Sequence, residues 1–230
     1  MIALPARAAL FLDLDGTLID MAPTPDAVVV PEGLAAILLR LRAACDDALA
    51  IVTGRPIADV DRLLPGVAFA VAGEHGGVIR HSPAGKAERA DVRGVPEEWI
   101  AQAGDWVRAY PGALVERKAR GFVLHYRLAP ACGPTLRERL DKLMADWPHH
   151  VVSAAHMAWE IKPVGIDKGR AVEALMMQAP FAGRVPVFVG DDVTDEDGMG
   201  VARAMGGVGL RVQEWFGDAA GVRAWLAGIV

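Results

Sequence analysis

The sequence predicts an α/β protein with a doubly wound parallel-sheet core and an inserted α+β module ordered αββαββ. Three observations lead there. Short apolar runs bounded by turn residues alternate with segments of helical period at both ends of the chain, the pattern of strands buried on both sheet faces. In the middle of the chain, crossovers give way to strand pairs at hairpin spacing, as in an antiparallel sheet laid over one layer of helices. Hydrophobic residues make up 53% of the 230 residues and charged residues 23%, enough apolar material for real cores and too much for a disordered, collagen-like or coiled-coil chain.

The elements follow in order. Residues 8–12 form a short apolar run that ends in Asp13, a buried strand delivering an aspartate. A loop containing Pro23, Pro25 and Pro31 leads to a helix over 32–44, then a strand over 48–52 ending at Thr53-Gly54-Arg55. Pro56 suits the first position of a helix reaching residue 64, and a third strand over 67–72 precedes Gly73-Glu74-His75-Gly76-Gly77. A hairpin over 78–80 and 87–90 turns at Ser82-Pro83-Ala84-Gly85. The module then runs as a helix over 96–109, strands over 113–118 and 122–127, a helix over 134–145, and strands over 150–153 and 157–162. From Lys168 the first pattern resumes with a helix to 178, a strand over 185–189 and a helix from Asp195. A strand over 207–211 and a helix over 219–226 complete it. The expected domains are therefore a core of residues 1–91 and 164–230 and an insert of residues 92–163. Met176-Met177 is expected in the core. Trp215 and Phe216 are expected as core or edge packing.

Composition narrows the function. Lys plus Arg number 24 against 29 Asp plus Glu, a net charge of -5, which is a poor footprint for nucleic acid. Two cysteines, Cys45 and Cys132, have no metal-ligand spacing and suit a reducing compartment. Charged residues such as Asp13, Arg40 and Asp191 interrupt the apolar stretches, and Asp13 and Asp15 follow too soon for a signal peptide. A cytoplasmic, monomeric protein with no nucleic-acid or membrane partner is expected.

In an open parallel sheet the site lies beyond the carboxyl ends of the strands. Those ends deliver Asp13 and Asp15, Thr53, and Asp191 with Asp192. A lone strand-end aspartate serves equally well as a turn or cap residue. Two acidic pairs on separate strands repel unless a cation sits among them, and a few oxygen ligands completed by waters and a phosphate is the way Mg²⁺ is held. Thr53 also reads as an N-cap before Pro56, and Thr194 with Asp197 as a capped helix start.

Asp13-Leu14-Asp15-Gly16-Thr17-Leu18 resembles the first motif of the haloacid dehalogenase (HAD) superfamily of phosphotransferases, and the other motifs follow in order. The resemblance implies a HAD-like core in which Asp13 is the nucleophile and Asp15 the general acid and base. Thr53, Gly54 and Lys168 bind phosphate. Asp13, Asp15 and Asp191 hold Mg²⁺, with Asp15 able to use its backbone carbonyl, and Asp192 and Asp195 stand behind them. Gly73-Glu74-His75-Gly76, Glu116-Arg117-Lys118, Leu124-His125-Tyr126-Arg127, Glu160-Ile161-Lys162-Pro163 and the full fourth motif Gly190-Asp191-Asp192-Val193-Thr194-Asp195-Glu196 resemble the trehalose-6-phosphate phosphatases. That resemblance covers nearly the whole chain. It implies a cap over 92–163 and a Mg²⁺-dependent phosphatase for the last step of trehalose biosynthesis, with sugar contacts from His75, Lys118, His125, Arg127, Glu160 and Lys162. Alternation would place His125 and Arg127 on one sheet face, as it would Glu160 and Lys162. Lys118, His125, Arg127, Glu160 and Lys162 are each also ordinary occupants of a solvent-facing strand, and His75 also reads as the anchor of a glycine-rich turn. The rival readings are phosphatases for sucrose phosphate, mannosyl-glycerate phosphate or hexose phosphates, a phospho-accepting receiver module, and a sugar-binding protein.

Overall fold

The computed structural model describes residues 2–22, 27–155 and 157–230, so the part of the expected loop that holds Pro23 and Pro25 lies outside the described residues. The chain divides into two compact units, residues 1–90 with 167–230, and residues 91–166.

In the first unit, seven strands among the described residues form one sheet. They are β1 (Ala8–Leu12), β2 (Leu49–Val52), β3 (Ala70–Gly73), β4 (Val78–Arg80), β5 (Ala87–Arg89), β10 (Val185–Gly190) and β11 (Val208–Arg211), numbered with the whole chain. The order is β11-β10-β1-β2-β3-β4-β5, parallel from β11 to β3, with the β4–β5 hairpin added antiparallel at the edge. Every residue of β1 and β2 is buried, so their unbroken apolar runs match strands covered on both faces.

The helices of this unit are α1 (Leu34–Ala44), α2 (Ile57–Leu63), α5 (Lys168–Met176), α6 (Asp195–Ala204), α7 (Val212–Trp215) and α8 (Ala219–Ala227). The β1–α1–β2 crossover steps one way along the sheet and β10–α6–β11 the other. Right-handed crossovers therefore put α1 and α6 on opposite faces. The reversal point lies between β1 and β10, where an open sheet leaves a crevice at its carboxyl edge. Asp167 caps α5 by accepting from the Arg170 amide at 2.8 Å, and Asp218 caps α8 by accepting from Gly221 at 2.9 Å.

Two apolar expectations are corrected here. Helix α5 ends at Met176, and Met177, one residue further round, is 80% exposed rather than core. Trp215 is 55% exposed, whereas Phe216 packs on Trp225 with ring centroids 5.0 Å apart. The stretch from Arg211 to Phe216 contains the single turn α7. Among the described residues no helix is long and apolar enough to cross a membrane.

The second unit contains α3 (Glu97–Val107), β6 (Leu114–Arg117), β7 (Phe122–His125), α4 (Gly133–Met144), β8 (His150–Ala155) and β9 (Ala158–Pro163). The sheet is antiparallel in the order β6-β7-β9-β8. Phe122, Leu124 and Ile161 pack with Trp99 and Ala103 of α3 and Leu136 and Leu140 of α4 in one apolar cluster. Alternation turns Val123, His125, Glu160 and Lys162 to the other face.

One corner of this unit predicts a pH dependence. Trp147 Nε1 donates to His150 Nδ1 at 2.8 Å, and the Arg93 guanidinium lies 4.7 Å above the Trp147 ring. Burial pushes the His150 imidazolium below its ordinary range and outweighs the Arg120 and Arg93 backbone groups that favour its charged form, while the nearby His149 and Arg93 charges push it down further. A lowered folded value means the unfolded chain takes the proton first. His150 therefore contributes stability above the ordinary histidine value of about 6.5, and that contribution is lost as pH falls below it. The thermal midpoint is expected to fall between about pH 7.5 and about pH 5.5 in wild type and to fall less in His150→Gln. Parallel curves would remove His150 from this role.

Candidate active site

The site is assembled at the carboxyl edge of the first unit's sheet. Leu12 pairs with Val189, and the Asp13 amide continues the ladder to the Val189 carbonyl at 3.0 Å, so Asp13 emerges beside Gly190-Asp191. The chain then folds back tightly, with the Leu18 and Ile19 amides both donating to the Leu14 carbonyl at 2.9 Å. Gly16 sits in that turn at φ 80°. A Cβ there would lie 2.2 Å from Asp191 Oδ2, so only glycine admits both the left-handed backbone and the aspartate's approach.

Buried Asp13 is held at both oxygens. Lys168 Nζ donates to Oδ1 at 2.6 Å, and Thr17 Oγ1 lies 3.2 Å from Oδ2 and 3.3 Å from Asp191 Oδ1, so one hydroxyl proton serves two carboxylates. Lys168 opens α5 yet is only 3% exposed, and it also donates to Asp195 Oδ1 at 2.6 Å. Asp195 Oδ2 accepts from the Asp191 and Asp192 amides at 3.0 Å each. Both Asp195 oxygens are thereby engaged, and this fully buried residue organises the lysine and the loop after β10. Asp192 is exposed and turns its carboxylate back onto the Val193 amide. Thr194 makes no side-chain cap for α6, contrary to the capped start its sequence suggests.

Three carboxylates meet here, and Asp13, Asp191 and Asp195 each offer an oxygen within 4.8 Å of the others. Burial raises the Asp13 carboxyl well above the usual range, opposed by Lys168 and reinforced by Asp195 and Asp191. Burial, then Asp195 and Asp192, push Asp191 up to about 6. Burial by itself would lower the Lys168 ammonium, but the Asp13 and Asp195 charges overrule it and leave it raised. The cluster is thus short of positive charge. An all-oxygen donor set of this kind fits a hard divalent cation, with Asp13 and Asp191 as its side-chain donors.

Asp15 stands apart. Its two carboxylate oxygens accept from Arg55 Nε and Nη2 at 2.6 Å each, so any share it takes in a metal site falls to its backbone. Thr53, buried at the end of β2, does not cap α2, whose N-cap is Pro56. Its hydroxyl accepts from the Arg55 amide at 3.2 Å. The turn at Glu74–Gly76 clamps this loop, with Glu74 N bonded to Arg55 O at 3.0 Å and His75 N to Thr53 O at 2.9 Å. Glu74 and His75 hold φ of 52° and 56°, a left-handed backbone that costs about 1–3 kcal/mol per residue and persists where neighbours enforce it. The His75 ring lies where a side chain on residue 54 would go, 2.6 Å from an idealised Cβ, which explains Gly54.

The remaining expected residues lie in the second unit. Glu116, Val123, Glu160 and Ser153 form one cross-strand row on the sheet face turned away from α3 and α4, and Glu160 is only 9% exposed. Lys162 shares that face. His125 Nε2 lies 2.8 Å from Glu116 Oε2, and Lys118 bonds the same carboxylate. The hydrogen bonds from His125 and then Lys118 hold Glu116 down at about 2. The alternation argument fails for Arg127, because the chain leaves β7 after His125 and Arg127 falls in a turn closed by Ala129 N bonding Tyr126 O at 2.9 Å. Sequence reasoning gave no role to Thr17, Arg55 or Glu116. The period-two spacing of Glu116 and Lys118 across the hairpin from His125 was the available signal for the last of these.

A family model described as trehalose-phosphatase matches residues 11–214. The trehalose-6-phosphate phosphatase of Escherichia coli K12 is 38% identical, over 98% of this chain and 84% of its own length. A probable trehalose-phosphate phosphatase of Sinorhizobium fredii is 40% identical, over 89% of this chain and 77% of its own. Among solved structures, the C-terminal domain of the C. albicans trehalose-6-phosphate phosphatase superposes with a TM-score of 0.81 at 20% identity, covering 97% of this chain and 93% of that one. A haloacid dehalogenase-like hydrolase from B. subtilis gives 0.59 at 15% identity, over 84% and 86%. These two structures establish the fold.

Proposed function

Because the chain belongs to the trehalose-phosphatase family of phosphomonoesterases, we propose that it hydrolyses trehalose 6-phosphate to trehalose and phosphate, with Mg²⁺ and through a phosphorylated Asp13. The observation that carries the reading is the buried Lys168 ammonium spanning Asp13 and Asp195 beside Asp191, at the switch point of the sheet.

With Oδ1 held by Lys168, Oδ2 of Asp13 is the atom that attacks phosphorus, and Thr17 can turn its proton to Asp191 as that lone pair is used. The bond from phosphorus to the sugar oxygen breaks, and Asp15 gives that oxygen its proton. Water then attacks the phosphorylated Asp13, Asp15 takes the water's proton, and phosphate leaves. Lys168, the Thr53 hydroxyl and the Gly54 amide hold the phosphoryl oxygens. Mg²⁺, which Asp13, Asp191 and the Asp15 backbone carbonyl would hold, supplies charge neutralisation at the phosphoryl group when bound. Asp195 keeps Lys168 and the Asp191 amide in place, and Asp192 orders water nearby. His75, Lys118, His125, Arg127, Glu160 and Lys162 bind the sugar, whose many hydroxyls call for several donors and acceptors at once. Cys45 and Cys132 are both buried and unpaired, which suits the reducing cytoplasm.

The test is phosphate release from trehalose 6-phosphate, other disaccharide and hexose phosphates, and an activated aryl phosphate, with and without a chelator. Trehalose 6-phosphate is expected as the best sugar phosphate, and activity is expected to vanish with chelator and return with Mg²⁺. In Glu160→Ala, unpaired donors on the sugar should cost roughly 2 to 4 kcal/mol in kcat/KM for trehalose 6-phosphate and leave the aryl ester nearly unchanged. A preference for another sugar phosphate, or full activity in excess chelator, would overturn the reading.

A further inference from the structure

We infer that Arg55 is a positioning residue, whose guanidinium fixes the plane and direction of the Asp15 carboxylate for proton exchange with the leaving oxygen and the attacking water. The inference rests on the proposed role of Asp15. Three observations on Arg55 itself carry it.

The first is the bidentate contact, Nε to Oδ2 and Nη2 to Oδ1, both at 2.6 Å, with side chains only 11% and 27% exposed. A planar fork gripping both oxygens sets both torsions of the aspartate, which a single donor cannot do. The second is that the Arg55 backbone is itself held. Its amide is bonded to Thr53 Oγ1, its carbonyl accepts from Glu74, and a Cβ on Gly73 would sit 2.8 Å from that carbonyl. The loop that presents the Thr53 hydroxyl therefore also fixes the carboxylate two residues after Asp13. The third is the division of the site's cations. Lys168 serves Asp13 and Asp195, and Asp15 lies outside the three-carboxylate group, held by a cation from a different strand end. Without Arg55 the Asp15 side chain would lose its partner beside an electron-rich cluster and spread over several rotamers. Proton transfer needs heavy atoms within about 2.6–3.2 Å, and loss of such alignment costs about 10²-fold.

An activated aryl phosphate separates the two proton transfers, since its leaving group needs no proton in the first step and water still needs a base in the second. With p-nitrophenyl phosphate and excess Mg²⁺, both Asp15→Asn and Arg55→Ala are expected to release about one equivalent of nitrophenolate per enzyme rapidly, then turn over about 10²-fold more slowly than wild type. Adding Arg55→Ala to Asp15→Asn should slow turnover by less than about threefold, because the two residues act as one unit. Arg55→Lys, which keeps the charge and loses the fork, should recover part of the second step. A burst and later turnover slowed by one common factor in Arg55→Ala would make the residue structural, and full additivity with Asp15→Asn would make it independent of Asp15; either overturns the inference. If Asp15→Asn itself gives no burst, the proton-transfer reading of Asp15 fails and the inference falls with it. If Asp15→Asn bursts and Arg55→Ala does not, the inference alone fails.

Discussion

Asp13→Asn is expected to abolish phosphate release, with kcat lowered by roughly 10⁴-fold or more, while leaving the fold intact. The amide has nearly the shape of the carboxylate. Its oxygen can still accept from Lys168 in place of Oδ1, and Thr17, relieved of one carboxylate, can give its proton wholly to Asp191. Only nucleophilicity and charge are lost. Burial and the neighbouring Asp195 and Asp191 raise the Asp13 carboxyl in the folded state, so at neutral pH its ionised form costs stability without divalent cation. The variant's thermal midpoint in chelator should therefore be no lower than that of wild type. Turnover within tenfold of wild type would remove Asp13 from the nucleophile's role, and a collapsed midpoint would show that its charge holds the loop together.

Lys168→Met should damage both activity and stability. The ammonium lies 2.6 Å from Asp13 and 2.6 Å from Asp195 in a nearly water-free position, and removing it leaves two buried carboxylates without their cation. Breaking a buried ion pair in this one-sided way costs about 3–5 kcal/mol. The urea midpoint should drop accordingly, and phosphate release should fall by about 10³-fold, as is typical when a group neutralising charge in the transition state is removed. Lys168→Arg should rescue little, because a planar fork does not fit a slot shaped for a compact ammonium. The double variant Lys168→Met/Asp195→Asn should recover much of the stability and none of the activity. If stability stays low in the double variant, the loss reflects packing of the lysine stem rather than its charge. If kcat/KM in Lys168→Met stays within tenfold of wild type, Lys168 does not act on the phosphoryl group.

Much of the architecture was legible because it is written in local patterns. The apolar run at 8–12 has the length and bounds of a covered strand, and the αββαββ spacing between 96 and 162 is that of an antiparallel sheet under helices. Asp13, Thr53 and Asp191 could be placed at one sheet edge because parallel strands present their carboxyl ends to the same side. Lys168 was legible from its motif. The shared face expected for His125 and Arg127 was misread because alternation holds only while a strand lasts, and β7 ends two residues before Arg127.

By itself, then, the sequence determined the strands, the helices and the residue types brought to the sheet edge, since each depends on neighbours a few positions away. The tertiary structure alone decided how those residues divide the work. Asp195 is buried under Lys168 while Asp192 faces solvent, although both follow the same strand. Asp15 turns to Arg55 while Asp13 turns to Lys168, although they are two residues apart. Glu116 meets His125 across a hairpin. The physical reason is distance along the chain. Lys168 and Asp13 are 155 residues apart and Arg55 and Asp15 are 40, and which carboxylate receives which cation is settled by the packing that brings those segments together, a property no local window contains.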